Sequence, residues 1–161
     1  VERWTQMDYL GFMQRQGFTL SPPLETVSSK FIGSWSLVSF EQCNVDNPNA
    51  PPVYPMGKDV AGWLTYSKDG SMSVALVKEN RPVFSSNDLS GGTTEEKASA
   101  FGTYITYCGT YEIQDNAVIH HIEASLFPNW SGTEQRRLYT FEGDTLTLST
   151  PLFEMGGIDR Q

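Results

Sequence analysis

The sequence predicts a mainly β protein, an antiparallel barrel that is closed or nearly closed, with a short N-terminal helix and one intervening helix. About seven short runs of alternating apolar and polar residues follow one another from Phe31 onward. Asp69-Gly70 stands between two of these runs and is the strongest hairpin signal in the chain. The runs do not alternate with long helical segments, as a parallel sheet would require. A series of hairpins of this kind is typical of a barrel.

Composition narrows the class of protein and of partner. The 161 residues fit one domain, and 39% hydrophobic with only 19% charged residues is too apolar a mixture for a disordered chain. The net charge is −8, and a negative protein does not attract nucleic acid or anionic lipid electrostatically. Neither nucleic acid nor a membrane is therefore an expected partner. No apolar run approaches the roughly 18 residues of a spanning helix. The polar start, with Glu2, Arg3 and Asp8, leads us to expect a cytoplasmic protein.

Cysteine spacing and motif content give little sign of a cofactor. Cys43 and Cys108 lie far apart and form no metal-type pair, so two reduced thiols are expected, with one bridge as the alternative. The chain contains no phosphate-cradling glycine loop that opens a helix and no nucleophile elbow. We therefore expect no cofactor and no metal.

The N-terminal thirty residues differ from the rest of the chain. Apolar side chains at positions 9, 10, 12 and 13 have a rough helical spacing, which predicts a helix over 5–16, and Ser21-Pro22-Pro23 then predicts an extended connector. We divide the chain into a helical extension, 1–30, and a barrel domain, 31–161. The extension is expected to cap a core opening, and a lid or a homodimer contact are the alternatives.

The remaining elements follow in order. Strands are predicted over 35–41, 61–66 and 72–77, with a loop rich in Pro and Asn at 44–55. Thr93 or Thr94 can cap a short helix over 95–100, or as far as 104, because the acidic Glu95 and Glu96 would occupy its first turn. Four more strands are predicted over 109–113, 118–126, 135–141 and 145–150.

Several ordered motifs carry a family resemblance. They include Gly33-Ser34-Trp35, Gly62-Trp63-Leu64-Thr65-Tyr66, Tyr107-Cys108-Gly109-Thr110-Tyr111-Glu112, Val118-Ile119-His120-His121-Ile122-Glu123 and Ser125-Leu126-Phe127-Pro128-Asn129-Trp130. Over about 31–151 the chain resembles the lipocalin-like domain family of bacteria and fungi, small barrels related in architecture to the calycins. The resemblance implies a calycin-type barrel that binds small molecules. Some fungal relatives are similar to cofactor-free cyclases or isomerases of natural-product pathways.

The resemblance also sets two structural expectations. Family members close with a further strand rich in Trp and Arg, which this chain lacks at 156–161, so the N-terminal segment is the candidate to cover the open edge. Trp35 is expected to close one barrel end, with Arg136 or Arg137 packed over it. Only one of these arginines can face inward, because side chains alternate along a strand. The inward one can instead hold a ligand oxyanion.

The densest polar cluster predicts the catalytic residues. Strand alternation over 118–127 places His121 and Glu123 on one face and His120 on the other. A carboxylate beside an imidazole can raise its pKa and orient it for proton transfer, so His121 and Glu123 are the predicted acid/base pair. A structural pair at the barrel wall or on the outer surface is the alternative. Tyr107 and Tyr111 are the predicted residues that polarise a substrate oxygen.

The predicted binding residues are mostly aromatic. Trp63, Tyr66 and Phe127 can line a cavity that stacks a planar ligand, and Trp63, Tyr107 and Tyr111 are the rings most strongly predicted to face inward. The same residues can simply pack a small barrel. Arg81 and Asn129 are predicted at the barrel mouth, and Arg137 completes the predicted ligand-binding set.

The favoured hypothesis is a cofactor-free cyclase, isomerase or dehydratase that acts on a small, apolar natural-product intermediate. A carrier or sensor of a small hydrophobic or aromatic ligand is the first alternative. A structural domain with a filled barrel is the second.

Overall fold

The protein forms a closed eight-stranded antiparallel barrel, as the sequence predicted. The computed structural model describes residues 1–6, 27–44, 47, 49–150, 153–155 and 158–160. Each strand pairs with the next along the chain, and the first pairs with the eighth. The strands are β1 (Glu2–Gln6), β2 (Gly33–Phe40), β3 (Val60–Tyr66), β4 (Ser71–Lys78), β5 (Tyr104–Gln114), β6 (Ala117–Ser125), β7 (Glu134–Glu142) and β8 (Thr145–Ser149).

Two helices and a 3-10 turn accompany the barrel. Helix α1 (Val27–Phe31) precedes β2, helix α2 (Thr94–Gly102) precedes β5, and the turn Pro128–Trp130 follows β6. Thr93 caps α2, because its hydroxyl accepts from the Glu96 amide while the Glu96 carboxylate accepts from the Thr93 amide. The alternative extension of this helix to Tyr104 is wrong, since Tyr104 pairs with Val77 of β4.

The N-terminal segment closes the barrel. Trp4 of β1 pairs with Leu37 of β2 and with Leu146 of β8, and its side chain is fully buried. The segment thus covers the edge that the family resemblance left open. Thr5 and Gln6 lie in this strand and not in the helix predicted over 5–16, whose remaining residues lie outside the described ones. The division of the chain at residue 30 stays a prediction, although residues 2–6 belong to the barrel sheet.

Two short strands form a second sheet. Among the described residues, strands β9 (Phe153–Met155) and β10 (Ile158–Arg160) pair with each other and not with a strand of the barrel. Cys43 and Cys108 are both free and exposed. Within the described ranges, no helix has the length and apolar character needed to cross a membrane.

Aromatic rings fill one end of the barrel, which we call the Trp35 end. The Trp35 indole donates to the Phe31 carbonyl oxygen at 2.8 Å, and the Phe31 ring meets those of Tyr66, Tyr139 and Phe141 edge-on at 4.9–5.3 Å. Trp35 therefore closes this end as expected. The predicted arginine partner is replaced by Phe31 and Phe141, because Arg136 is exposed and Arg137 bonds instead to Gln135 and to the Arg136 carbonyl.

Candidate functional site

A pocket of about 220 Å³ lies at the opposite end of the barrel, which we call the pocket end. It lies between α2, the start of β5 and the 3-10 turn after β6. Phe101 and Phe127 are 48% and 42% exposed, so apolar rings form part of its rim. The lining residues are Phe101, Gly102, Tyr104, Ile105, Thr106, Leu126, Phe127 and Trp130.

The 3-10 turn places Trp130 against the barrel interior. Pro128 occupies its first position, the Trp130 amide donates to the Phe127 carbonyl oxygen at 3.1 Å, and the Thr133 hydroxyl donates to the Trp130 carbonyl oxygen at 2.7 Å. The Trp130 ring then meets both Phe127 and Tyr107 edge-on, at 5.6 and 5.8 Å between ring centres. Trp130 therefore joins the exposed rim of the pocket to the buried Tyr107.

A polar cluster lies on the inner side of Tyr107. His120, on β6, is 1% exposed, and both of its ring nitrogens have tyrosine partners. Its Nε2 lies 2.6 Å from the Tyr66 hydroxyl and its Nδ1 lies 3.0 Å from the Tyr107 hydroxyl. A neutral imidazole has one donor nitrogen and one acceptor nitrogen, so one tyrosine donates to His120 and the other accepts from it. The three side chains satisfy one another in the interior.

Burial keeps these three groups uncharged. Desolvation, assisted by the nearby charge of Arg137, lowers the pKa of His120 to about 3. Desolvation also raises the pKa of Tyr66 and that of Tyr107 well above the ordinary value. At neutral pH the cluster is therefore a neutral hydrogen-bonded chain, although a guanidinium lies beside it.

Arg137, on β7, supplies that guanidinium. Its Nη1 donates to the Gln135 side-chain oxygen at 3.1 Å and to the Arg136 carbonyl oxygen at 3.4 Å, and the residue is 8% exposed. Its Nε is buried and has no hydrogen-bond partner in the described part of the chain. Its charge also opposes the rise in the pKa of Tyr107. Arg137 is thus a buried cation with unused donor capacity.

The predicted acid/base pair lies on the outer surface. His121 is 36% exposed at its side chain, and its ring nitrogens lie 3.1 Å from Glu134 and 3.7 Å from Glu112, while Glu123 is exposed. The carboxylates that the structure brings to His121 are therefore those of the neighbouring strands β5 and β7, and not Glu123. The outer surface is the position that the sequence left as an alternative for His121, but the partners there are Glu112 and Glu134.

Alternation holds from His120 to Glu123, with His120 buried and with His121 and Glu123 on the outer face, and a β-bulge interrupts it beyond that point. Gly109 pairs with Ile122 and Cys108 pairs with Ala124, so Glu123 has no residue opposite it. Beyond the bulge, Ser125 returns to the side of Tyr107. A Cβ at position 109 would lie 2.0 Å from the His121 carbonyl oxygen, and only glycine fits there.

The other predicted residues divide between the interior and the surface. Tyr66 and Tyr107 are buried as predicted, and Tyr111 packs on Tyr66 with 4.6 Å between ring centres. The inward prediction for Trp63 is wrong: this ring is 50% exposed, because the buried Leu64 and Tyr66 fix the opposite phase of alternation on β3.

The two residues predicted at the mouth differ in their surroundings. Arg81 donates to the Thr103 hydroxyl at 3.1 Å and the Ala100 carbonyl oxygen at 3.0 Å, and it lies over the Tyr104 ring at 5.5 Å. These contacts hold the loop after β4 against the end of α2 and against Tyr104, which lines the pocket. Asn129 is exposed within the 3-10 turn and is not among the residues that line the pocket.

The sequence prediction passed over His120 as a functional residue. Its apolar neighbours Val118 and Ile122, two positions away on either side, share its face and are fully or almost fully buried. That flanking pattern was the available signal that His120 faces inward and His121 outward.

Comparison with known proteins agrees with this architecture. The 4'-hydroxy-3'-methoxypropiophenone carrier protein ppsC of Aspergillus oryzae (strain ATCC 42149 / RIB 40) is 37% identical over 87 residues, which is 49% of this chain and 78% of that protein. No solved structure gives a significant match. The lipocalin-like domain matches residues 32–160, and the chain therefore belongs to the lipocalin-like domain family.

Proposed function

We propose that the protein binds and carries a small aromatic molecule in the pocket at the pocket end. The observation that carries this proposal is the pocket lining, in which Phe101, Tyr104, Phe127 and Trp130 surround a space of about 220 Å³. Rings of this kind stack on a planar ligand and remove it from water. The half-exposed Phe101 and Phe127 leave that surface accessible from solvent.

The similar protein supports this class of ligand. That relative is named as a carrier of 4'-hydroxy-3'-methoxypropiophenone, an aromatic ketone with a phenolic hydroxyl. This aryl ketone combines a planar ring with three oxygen groups: a carbonyl, a hydroxyl and a methoxyl. The ring suits the pocket lining described above, so an aromatic ketone or phenol is the first ligand class to test.

The chemistry of the interior favours a carrier over the cyclase, isomerase or dehydratase that the sequence suggested. A general base works best when its pKa lies near the working pH. His120 has a pKa of about 3, and both of its nitrogens are already occupied by tyrosines. The predicted base His121 lies on the outer surface with Glu112 and Glu134. The described interior groups thus favour holding a ligand over moving its protons.

Calorimetric titration with 4'-hydroxy-3'-methoxypropiophenone tests the proposal. We expect saturable binding at one site, and we expect Trp130→Ala to weaken it about tenfold or more through loss of a stacking wall. Trp63→Ala is the matched control, because this ring is half exposed on the barrel wall and does not line the pocket. Chromatography should return the ketone unchanged after incubation. Absence of saturable binding, an equal loss in both variants, or conversion of the ketone would contradict the carrier proposal.

A further inference from the structure

We infer that Arg137 forms an anion site inside the barrel, which binds an ionised oxygen of the carried molecule: a carboxylate, phenolate or enolate. This inference rests on the proposed function, since it assigns the charge of the molecule that the pocket receives. The pocket would hold the apolar ring of that molecule, and Arg137 would hold its charged end.

Arg137 has unused hydrogen-bonding capacity. A guanidinium has five N–H donors in a planar fork. The partners of Arg137 are neutral: Nη1 donates to the oxygens of Gln135 and of the Arg136 backbone, and a side-chain hydrogen bond between Arg137 and Tyr107 opposes the rise in the pKa of the tyrosine. The buried Nε has no partner among the described residues. A carboxylate or phenolate oxygen would supply the missing acceptor, and carboxylates match the fork with two parallel bonds.

The charge of Arg137 is not balanced by a carboxylate among the described residues. Arg137 is the buried residue with a formal charge in the described core, where the other buried polar residue is the neutral His120. The ion pairs within the described ranges are those of Arg3 with Glu41 and of His121 with Glu112 and Glu134. Arg137 therefore has no carboxylate partner in this part of the chain. A buried charge without a counter-charge is costly, and a bound anion would remove that cost.

Glu2 is an acidic residue whose charge acts on this polar cluster. The strand register places it beside Leu148 and two residues before the buried Trp4, whose indole donates to its carboxylate at 3.3 Å. The negative charge of Glu2 contributes to the raised pKa of both Tyr66 and Tyr107, so its electrostatic field extends into the cluster. Its carboxylate accepts from Trp4, and the ion pairs of the described residues do not join it to Arg137, so the buried Nε of Arg137 stays available for another anion.

A chain of side-chain contacts connects the pocket to the polar cluster. Trp130 lines the pocket and meets Tyr107 edge-on at 5.8 Å. Tyr107 in turn bonds to His120 and lies within the field of Arg137. One aromatic ring thus separates the pocket lining from the polar cluster. A ligand whose ring stacks on Trp130 would direct a substituent past Tyr107 toward the guanidinium.

Calorimetry with matched pairs of probes tests the anion site. The carboxylate arm compares 4-methoxybenzoate with its methyl ester, and the phenolate arm compares 4-nitrophenolate with 4-nitroanisole at a pH where the phenol is ionised. We expect the anion to bind more tightly than its neutral partner in at least one arm, and that arm identifies the oxygen class. Arg137→Met should weaken anion binding about tenfold to a hundredfold and change ester or ether binding less than about threefold.

Arg136→Met is the matched control, because it removes the same charge from the adjacent exposed position on the same strand. It should leave the preference for the anion unchanged. If Arg137→Met does not fold, Arg137→Lys is the second variant, because it keeps the positive charge and removes the paired N–H donors of the guanidinium. It should reduce the preference for the carboxylate over its ester, but not abolish it.

The outcomes separate the two proposals. Equal affinity of the native protein for anion and neutral partner in both arms, or an equal loss in the Arg136 and Arg137 variants, overturns the anion site while the carrier function stands. If none of these probes binds while 4'-hydroxy-3'-methoxypropiophenone does, the anion site is overturned and the carrier function stands; if the ketone does not bind either, both proposals are overturned.

Discussion

The Tyr66 hydroxyl lies 2.6 Å from Nε2 of His120, and this contact joins β3 to β6 across the barrel interior. Both residues are almost completely buried, at 1% exposure each. A polar bond between opposite walls fixes the spacing of the strands, and neither partner can turn to water if the other is lost. The contact therefore stabilises the fold as well as setting the orientation of His120 beside Tyr107.

We expect Tyr66→Phe to lower the free energy of unfolding by about 1–3 kcal/mol, because it leaves a buried imidazole nitrogen without its partner. Chemical denaturation measures this loss. Tyr111→Phe is the control: its hydroxyl donates to the Ser67 carbonyl oxygen at 3.1 Å from a half-buried position, where water can replace it. An equal loss in free energy of unfolding in both variants would show that the contact with His120 stabilises the fold no more than the half-buried bond of Tyr111 does.

The barrel could be predicted from the sequence because the alternation of apolar and polar residues and the turn signals are local features of the chain. Each run from Trp35 to Leu148 buries one face, and Asp69-Gly70 joins two runs as a hairpin, so the strands and their order followed from short stretches of chain. Strand β1 was missed because its five residues, Glu2–Gln6, are stabilised by pairing with β2 and β8, partners distant in sequence.

The site was harder to predict because one bulge and one distant contact define it. The bulge opposite Cys108 and Gly109 places Glu123 and Ala124 together on the exposed side, which no period of two can produce. The environment of Arg137 depends on Tyr107 and His120, which come from other strands. Sequence alternation could say that one of two arginines faces inward, but not what surrounds it.

Stability should fall on acidification because of His120. Its pKa is about 3 in the folded protein and about 6.5 in the unfolded chain. Below about pH 6.5 the imidazole therefore binds a proton in the unfolded state and stays unprotonated in the folded state. Between pH 6.5 and 3 this residue should therefore lower the free energy of unfolding by up to about 1.4 kcal/mol per pH unit, and above pH 6.5 it should contribute no slope. Urea denaturation at a series of pH values measures the slope.

His120→Asn should flatten this slope, whatever its effect on stability at pH 7. His121→Asn is the matched control, because the neighbouring ring lies on the outer surface and is 36% exposed. Since other groups titrate in the same range, the difference in slope between variant and native protein is the quantity to compare. A slope that persists in the His120 variant would contradict the assignment.

Gly109→Ala should be strongly destabilising. The added Cβ would lie 2.0 Å from the His121 carbonyl oxygen and 2.9 Å from the Glu123 amide nitrogen, and both are backbone atoms that cannot move without breaking the bulge. We expect a loss of about 2–4 kcal/mol in thermal or chemical unfolding. Gly102→Ala is the control, because a Cβ there meets nothing within 4 Å at the end of α2. A similar effect of the two substitutions would argue against the bulge.

Thr93→Ala should loosen the helix that carries one wall of the pocket. The Thr93 hydroxyl accepts from the Glu96 amide at 3.2 Å, and loss of a capping side chain costs about 1 kcal/mol. Because Phe101 on α2 lines the pocket, binding of the aromatic ketone should weaken modestly along with stability. Amide hydrogen exchange over α2, with Thr94→Ala as the control, measures the loosening. Unchanged protection of the helix in the Thr93 variant would contradict a role for the cap.

Glu2→Gln should increase the affinity for an anionic ligand. Glu2 adds negative charge to the surroundings of Tyr66 and Tyr107, where the proposed anion would lie, and so opposes a second negative group. The amide keeps an oxygen for the Trp4 indole, which donates to the carboxylate at 3.3 Å in the native protein. Removal of the charge should therefore tighten binding of 4-methoxybenzoate about threefold, the size of a partly screened interaction, and leave its methyl ester unchanged. Glu142→Gln removes the same charge from an exposed position at the other end of the barrel and should change neither affinity. Because repulsion by Glu2 requires an anion near Tyr107, an equal shift for acid and ester would place the bound charge elsewhere.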